Sequence, residues 1–199
     1  MPLFPLQTVL FPGMRLLLKV FEARYLDLVS GCLRERRPFG VLALRSGGEV
    51  GTASAAAEME EVGVLARIDE VDSETSGILR LRCTGTLRFR RSAEPQRQAD
   101  GLWTCACDEL AADALHVPGA AMIQTVRALA AAIKSLGEQG RSPFDAPYRF
   151  DDCGWVANRW CELLPLPLAA KQKLLEIDDP VLRLSVVDGF LRDKKVVVD

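Results

Sequence analysis

Six cysteines, one histidine and a stripe of arginines are the residues of this 199-residue chain with chemistry to offer beyond packing. The cysteines stand at 32, 83, 105, 107, 153 and 161. A thiol serves as nucleophile, as metal ligand or as half of a disulfide. Cys105 and Cys107 have one residue between them, which in a strand puts both on one face, whereas zinc-ligand pairs are usually separated by roughly two to four residues. With His116 as the only further soft ligand, neither a metal site nor any other cofactor is expected. Pro2, Pro5 and Pro12 interrupt the N-terminal apolar run, so a secretory leader is not expected and the thiols read as reduced and buried. A Cys–His pair joining His116 to Cys105 or Cys107 stays open, because catalytic partners meet in space rather than in sequence. The plainer reading of His116 is a junction residue.

The usual catalytic signatures are missing together. There is no Gly-x-x-x-x-Gly-Lys-Ser/Thr loop, no Gly-x-Gly-x-x-Gly after a strand and no Gly-x-Ser-x-Gly elbow. The acidic pairs Glu60-Glu61 and Asp151-Asp152 are adjacent in sequence and so do not face each other across a cleft. Lys19, Lys134, Lys171, Lys173, Lys194 and Lys195 lie outside any recognisable Ser–Lys context. The chain therefore reads as a non-enzyme. Arg80 with Arg82, and Arg88 with Arg90, each share a strand face by the two-residue alternation. Such a stripe is either a solvated outer face or a nucleic-acid interface. Stacking aromatics are not interleaved on it, since Phe89 alternates away from Arg88 and Arg90, and the net charge of −2 supplies no global pull. An RNA-binding module is the alternative reading, and an unrecognised hydrolase a further one.

The elements that must position these residues fall into two parts. Residues 3–10 and 14–20 read as strands joined at Pro12-Gly13, a pair suited to the centre of a type II turn. In 22–36, Tyr25, Leu28, Val29, Cys32 and Leu33 recur at helical spacing, and Pro38 ends the helix. Strands are predicted over 39–44 and 61–69, with an Ala-, Gly- and Ser-rich loop over 49–58 between them. A strand or strand pair over 78–91 is bent at Gly85, and a last strand covers 102–110. Beyond residue 115 the pattern is helical: 118–136, then a linker over 142–147, then a helix capped by Asp151 or Asp152 and stopped by Pro165. Two more follow, from Pro167 to Glu176 and from Asp179-Pro180 onward, the last with Leu182, Val186 and Phe190 on one face. The expectation is an α+β chain, with a β-rich part carrying one helix over residues 1–115 and a helical bundle over 116–199. No apolar run approaches the ~18 residues that span a bilayer, so no membrane partner and a cytoplasmic location are expected.

The motifs resemble those of one family. Leu3-Phe-Pro-Leu6, Val9-Leu-Phe-Pro-Gly-Met14 and Val20-Phe-Glu-Ala-Arg-Tyr25 are similar to the opening of the N-terminal domain of the Lon protease family, the Lon substrate-binding domain. Phe39-Gly-Val41, Glu61-Val-Gly63 and Gly85-x-x-Arg88-Phe89 resemble its later strand motifs. Leu163-Leu-Pro165, Gln172-Lys-Leu-Leu-Glu176 and Leu182-Arg-Leu184 resemble its helical part. The resemblance implies a PUA-like β pseudo-barrel followed by a helical bundle. It also implies a polypeptide-binding role, adaptor- or holdase-like, in a stand-alone member without the ATPase and peptidase modules. Implied partners are unfolded or flexible polypeptides, a separate ATPase or protease, and a second copy of the chain; nucleic acid is disfavoured. Phe11 and Met14 beside the turn, with Trp103, are the candidate peptide contacts, since Met and aromatics suit adaptable recognition. Glu22 and Arg24 read as polar groups that hold the fold.

Overall fold

Pro12 and Gly13 form the turn that sets up the first strands. In a computed structural model, which describes residues 1–46, 58–75 and 77–197, the Met14 N–H donates to the Phe11 carbonyl oxygen at 3.0 Å. Gly13 sits at φ +80°, the left-handed conformation that a type II turn requires of its third residue. The turn then locks onto a distant strand: Gly13 N–H donates to Gly85 O at 2.8 Å, and Gly85 N–H donates to Met14 O at 2.9 Å. A Cβ at position 85 would lie 2.4 Å from the Phe11 carbonyl oxygen, so only glycine admits this approach.

The chain packs as two units, Met1–Ala112 with Leu168–Leu175, and Asp113–Pro167 with Glu176–Asp199. They differ from a single division at residue 115 in where 168–175 falls. The first unit holds strands β1 (Pro2–Leu6), β2 (Arg15–Val20), β3 (Phe39–Ser46), β4 (Glu58–Met59) and β5 (Val62–Thr75). It continues with β6 (Ile78–Arg91), β7 (Gln96–Arg97), β8 (Trp103–Thr104) and β9 (Cys107–Glu109). One sheet runs in the order β2-β6-β5-β3-β1-β8-β7, with β4 on β3 and β9 on β6. β6 is a single long strand. The strand expected over 3–10 stops at Leu6, although Val9, Leu10 and Phe11 stay buried. The strand expected over 102–110 splits into β8 and β9, which pair with different neighbours. Of the loop read over 49–58, all but Glu58 lies outside the described residues.

Inside the sheet, Leu3, Leu42, Leu44, Met59, Leu65, Phe89 and Cys105 form a core cluster. Helix α1 (Ala23–Glu35) buries Tyr25, Leu28, Val29 and Cys32 of the face its spacing predicted, while Leu33 of that set is exposed. It ends with Arg36 in the left-handed conformation and the Arg37 N–H donating to Cys32 O at 3.1 Å. Helix α4 (Leu168–Glu176) supplies this unit with buried Gln172, which donates to Val62 O at 3.0 Å.

The second unit is helical, with α2 (Ile123–Glu138) entered through a 3-10 turn at Ala120–Met122, α3 (Cys153–Leu163) and α5 (Pro180–Asp193). Asp152 caps α3 by accepting from Gly154 N–H at 3.0 Å, and Asp179 caps α5 by accepting from Val181 N–H at 2.8 Å. The inward face of α5 is not the one expected. Leu182 and Val186 are exposed, and the buried set is Pro180, Arg183, Leu184, Val187 and Leu191. The sequence pattern admitted two apolar stripes, and a buried charge on Arg183 decided between them.

Gly189 lies inside α5 with open space where its Cβ would point. Gly189→Ala therefore removes a backbone entropy penalty without a clash, and is expected to stabilise the protein by about 0.5–1 kcal/mol in a denaturation titration.

Candidate functional site

Four of the thiols are sequestered rather than activated. Burial pushes Cys83 up to about 12. Burial, with the neighbouring Cys105, does the same to Cys107, to about 12. Desolvation also raises Cys32 and Cys153. Reactive cysteines need the opposite shift, toward thiolate at neutral pH. No disulfide joins any of the six cysteines. Burial leaves less thiolate on Cys107 at pH 8, so Cys107 is expected to alkylate about tenfold more slowly, or more, in the native protein than after denaturation. Mass spectrometry after a timed iodoacetamide pulse measures this. The His116 carbonyl oxygen accepts from Cys153 N–H at 2.8 Å, while its residue is exposed. Among the described residues no group of three or more His, Cys, Asp or Glu side chains is arranged to hold a metal ion.

The arginine stripe does not assemble. Arg80 is exposed, and Arg82 is half-buried beside Glu70, to which its guanidinium donates. Arg90 is exposed, 3.8 Å from Glu61. Arg88 is buried and donates to the Leu175 carbonyl oxygen at 3.0 Å. Val62, Gly63 and Val64 pair in unbroken register with Arg90, Phe89 and Arg88, so Arg88 and Phe89 face opposite sides of β6, and both sides are covered there, Phe89 by the core cluster and Arg88 by α4 at Leu175. The expectation that Arg88 and Arg90 share a solvent face fails for that reason.

The candidate peptide contacts also separate. Phe11 is completely buried and belongs to the core. Met14 is half-buried, and Trp103 packs on the core cluster. Glu22 and Arg24 hold the fold: their side chains meet at 2.8 Å, and Arg24 also donates to Gly101 O at 2.8 Å. The Arg24 guanidinium lies 4.7 Å from the Tyr25 ring centroid.

That ion pair stands at the end of a groove. β2 is the first strand of the sheet path and pairs with β6 alone among the described residues. β1 pairs with β8 only at Pro2 and Leu3, so Phe4–Leu6 has a strand, β3, on one side. A cavity of about 220 Å³ is lined from both strands, by Phe4 and Leu6 and by Leu17, Val20 and Phe21, with Tyr25. Tyr25 stacks on Phe4 with ring centroids 4.0 Å apart. At its rim Leu17 is 75% and Phe21 52% exposed, two apolar side chains open to solvent beside one cavity. The sequence carried a signal for this. Leu16-Leu-Leu18 are consecutive in a strand, where successive side chains point to opposite faces, so at least one leucine must face outward.

A second cavity, of about 360 Å³, lies at the C-terminal end of α1 and is lined by Leu33, Arg36, Arg37, Arg67 and Ile68. It is larger but less distinctive, because Arg37 and Arg67 are met by Glu35 at 2.5 Å and Asp69 at 2.9 Å.

Compared with known families, residues 1–193 match the ATP-dependent protease La (LON) substrate-binding domain. The chain belongs to the Lon substrate-binding domain family. It is similar to the crystal structure of a Lon N-terminal domain protein from Xanthomonas campestris, at 31% identity over 95% of this chain and 96% of that one, with a TM-score of 0.73. The N-terminal domain of Mycobacterium avium complex Lon protease shares the fold at 17% identity and a TM-score of 0.64, over 96% of this chain and 97% of that one. No curated protein matches. The Lon-domain motifs at Phe11–Met14, Gly63 and Gly85 are thus the points where backbones interlock. They specify the scaffold, and the groove occupies the seam beside it.

Proposed function

We propose that this Lon-type domain is a non-catalytic, adaptor- or holdase-like module that holds extended apolar stretches of unfolded polypeptide in the groove between β1 and β2. The observation that carries the reading is the exposure of Leu17 and Phe21 at the rim of a groove walled by Phe4, Leu6 and Tyr25. Membership of a substrate-binding domain family supports a polypeptide as the occupant. An apolar anchor and an aromatic beside a preformed cleft are the kind of residues that dominate binding energy. The groove also carries Lys19 and Glu22, so both signs of charge are present to tolerate varied sequences.

The test is a binding titration with reduced, carboxymethylated lactalbumin, a permanently unfolded polypeptide, followed by fluorescence anisotropy. Binding at tens of micromolar or tighter is expected. Leu17→Asp and Phe21→Asp should each weaken it about tenfold or more, which corresponds to about 1.4 kcal/mol. Both side chains project into solvent, so denaturation midpoints should move by no more than about 0.5 kcal/mol. Failure of the unsubstituted chain to bind, or full binding by both variants, overturns the reading.

A further inference from the structure

The second cavity, at the C-terminal end of α1, combines an apolar lining with unmatched positive charge. Leu33, Pro38 and Ile68 are among its walls, and Leu33 is 47% exposed. Arg36, Arg37 and Arg67 line it too, and among the described residues no carboxylate does. Glu35 and Asp69 meet two of these arginines from outside the lining, and each takes only the Nε–H, at 2.5 and 2.9 Å. The terminal Nη groups of Arg37 and Arg67 bond to nothing else among the described residues, and the Arg36 side chain bonds to nothing there. A guanidinium is a planar fork of N–H donors, and its paired Nη groups match the two oxygens of a carboxylate. The dipole of α1 accounts for basic residues near its end, but not for the backbone of Arg36. That residue is left-handed at φ +52°, a conformation in which glycine meets no steric cost. The chain thus holds a charge where its backbone favours glycine.

We infer that this cavity binds the C-terminal residue of a polypeptide, its apolar side chain against Leu33 and Ile68 and its α-carboxylate on the guanidiniums of Arg36 and a neighbouring arginine. A free α-carboxylate shares its Cα with the side chain, so one residue delivers the anion and the apolar group together. An internal Asp or Glu next to an apolar residue does this poorly, because successive side chains of an extended segment point to opposite sides. The volume of about 360 Å³ is near the lower end of the roughly 300–1,000 Å³ usual for ligand pockets. It suits one or two residues rather than a long segment. The site shares no lining residue with the groove between β1 and β2, and the inference does not rest on that groove.

The test uses the full chain and a fluorescein-labelled Gly-Ser peptide ending in leucine with a free carboxylate, read by fluorescence anisotropy. A Kd of about 100 micromolar or tighter is expected, weakened about tenfold or more when the same peptide is C-terminally amidated. Arg36→Gly should also weaken binding about tenfold, with a denaturation midpoint unchanged or raised, because glycine suits the left-handed backbone. Amide shifts in NMR are expected at Leu33, Arg36 and Ile68 on adding the peptide. No binding at about 1 mM, equal binding of the free and amidated peptides, or undiminished binding by Arg36→Gly each overturns the inference. Shifts confined to residues 15–21 overturn it as well, by placing the peptide in the groove. Equal binding of an amidated peptide with an internal Asp-Leu pair does the same, by making an internal acidic residue the occupant.

Discussion

Arg183→Met is expected to destabilise the helical unit by about 3–5 kcal/mol, the range seen when one partner of a buried ion pair is removed. Arg183 is the largest fully buried side chain among the described residues. Its guanidinium donates to both carboxylate oxygens of Asp113 at 2.6 and 3.2 Å, to the Asn158 side-chain oxygen at 3.1 Å and to the Ile177 carbonyl oxygen at 2.6 Å. Methionine fills much of the volume but removes the four bonds donated to Asp113, Asn158 and Ile177, and the loss of charge-assisted bonds at a buried site is the source of the effect. Trp155 and Trp160 both lie on α3 in this unit, so tryptophan fluorescence during urea denaturation reports its unfolding. Pairing the substitution with Asp113→Leu should recover part of the loss, because two apolar residues replace the ion pair and no lone charge remains. A single-variant loss below about 1 kcal/mol would show that Asp113 finds other partners and that the network is not what orders these helices.

Gly85→Ala is expected to cost the β-rich unit about 3 kcal/mol, the upper part of the usual range for forcing atoms into a packed site. The added methyl would stand 2.4 Å from the Phe11 carbonyl oxygen, which is backbone and cannot rotate away. Relief requires the turn to lift off, breaking the bonds of 2.8 and 2.9 Å that Gly13 and Met14 make with Gly85. Each such bond contributes about 1 kcal/mol net. Gly63→Ala should behave alike, since its Cβ would meet the Val41 carbonyl oxygen at 2.2 Å. Gly137→Ala is the contrast: nothing lies within 4 Å of its Cβ position, so a neutral or stabilising result is expected there. Equal effects at all three positions in chemical denaturation would mean that backbone freedom, not close approach, governs position 85.

How much of this was legible beforehand depended on the range of the interaction involved. The Pro12-Gly13 turn, most of the buried face of α1 and the Asp152 and Asp179 caps follow from local rules, in which a residue's own φ or a spacing of three or four decides the outcome. The family could be read for the same reason, because its motifs are dense in such positions. Chain order, element type and the α+β class rest on that local information.

Register and exposure do not. Arg88 is buried because α4, more than eighty positions away in sequence, covers its face and offers it the Leu175 carbonyl oxygen. Phe11 vanishes into the core because its turn docks on a residue more than seventy positions away. α5 rotates to bury Arg183 because Asp113, Asn158 and Ile177 converge on it from elsewhere in the unit. The groove lies where β2 pairs with β6 alone among the described residues and where β8 reaches β1 only at Pro2 and Leu3, a fact about sheet order that neither strand's own residues contain. The chain's residues alone therefore determined what kind of scaffold this is. Only the tertiary structure decided which apolar residues reach solvent, because burial is set by the neighbours that long-range pairing brings, and those neighbours are absent from any local window of sequence.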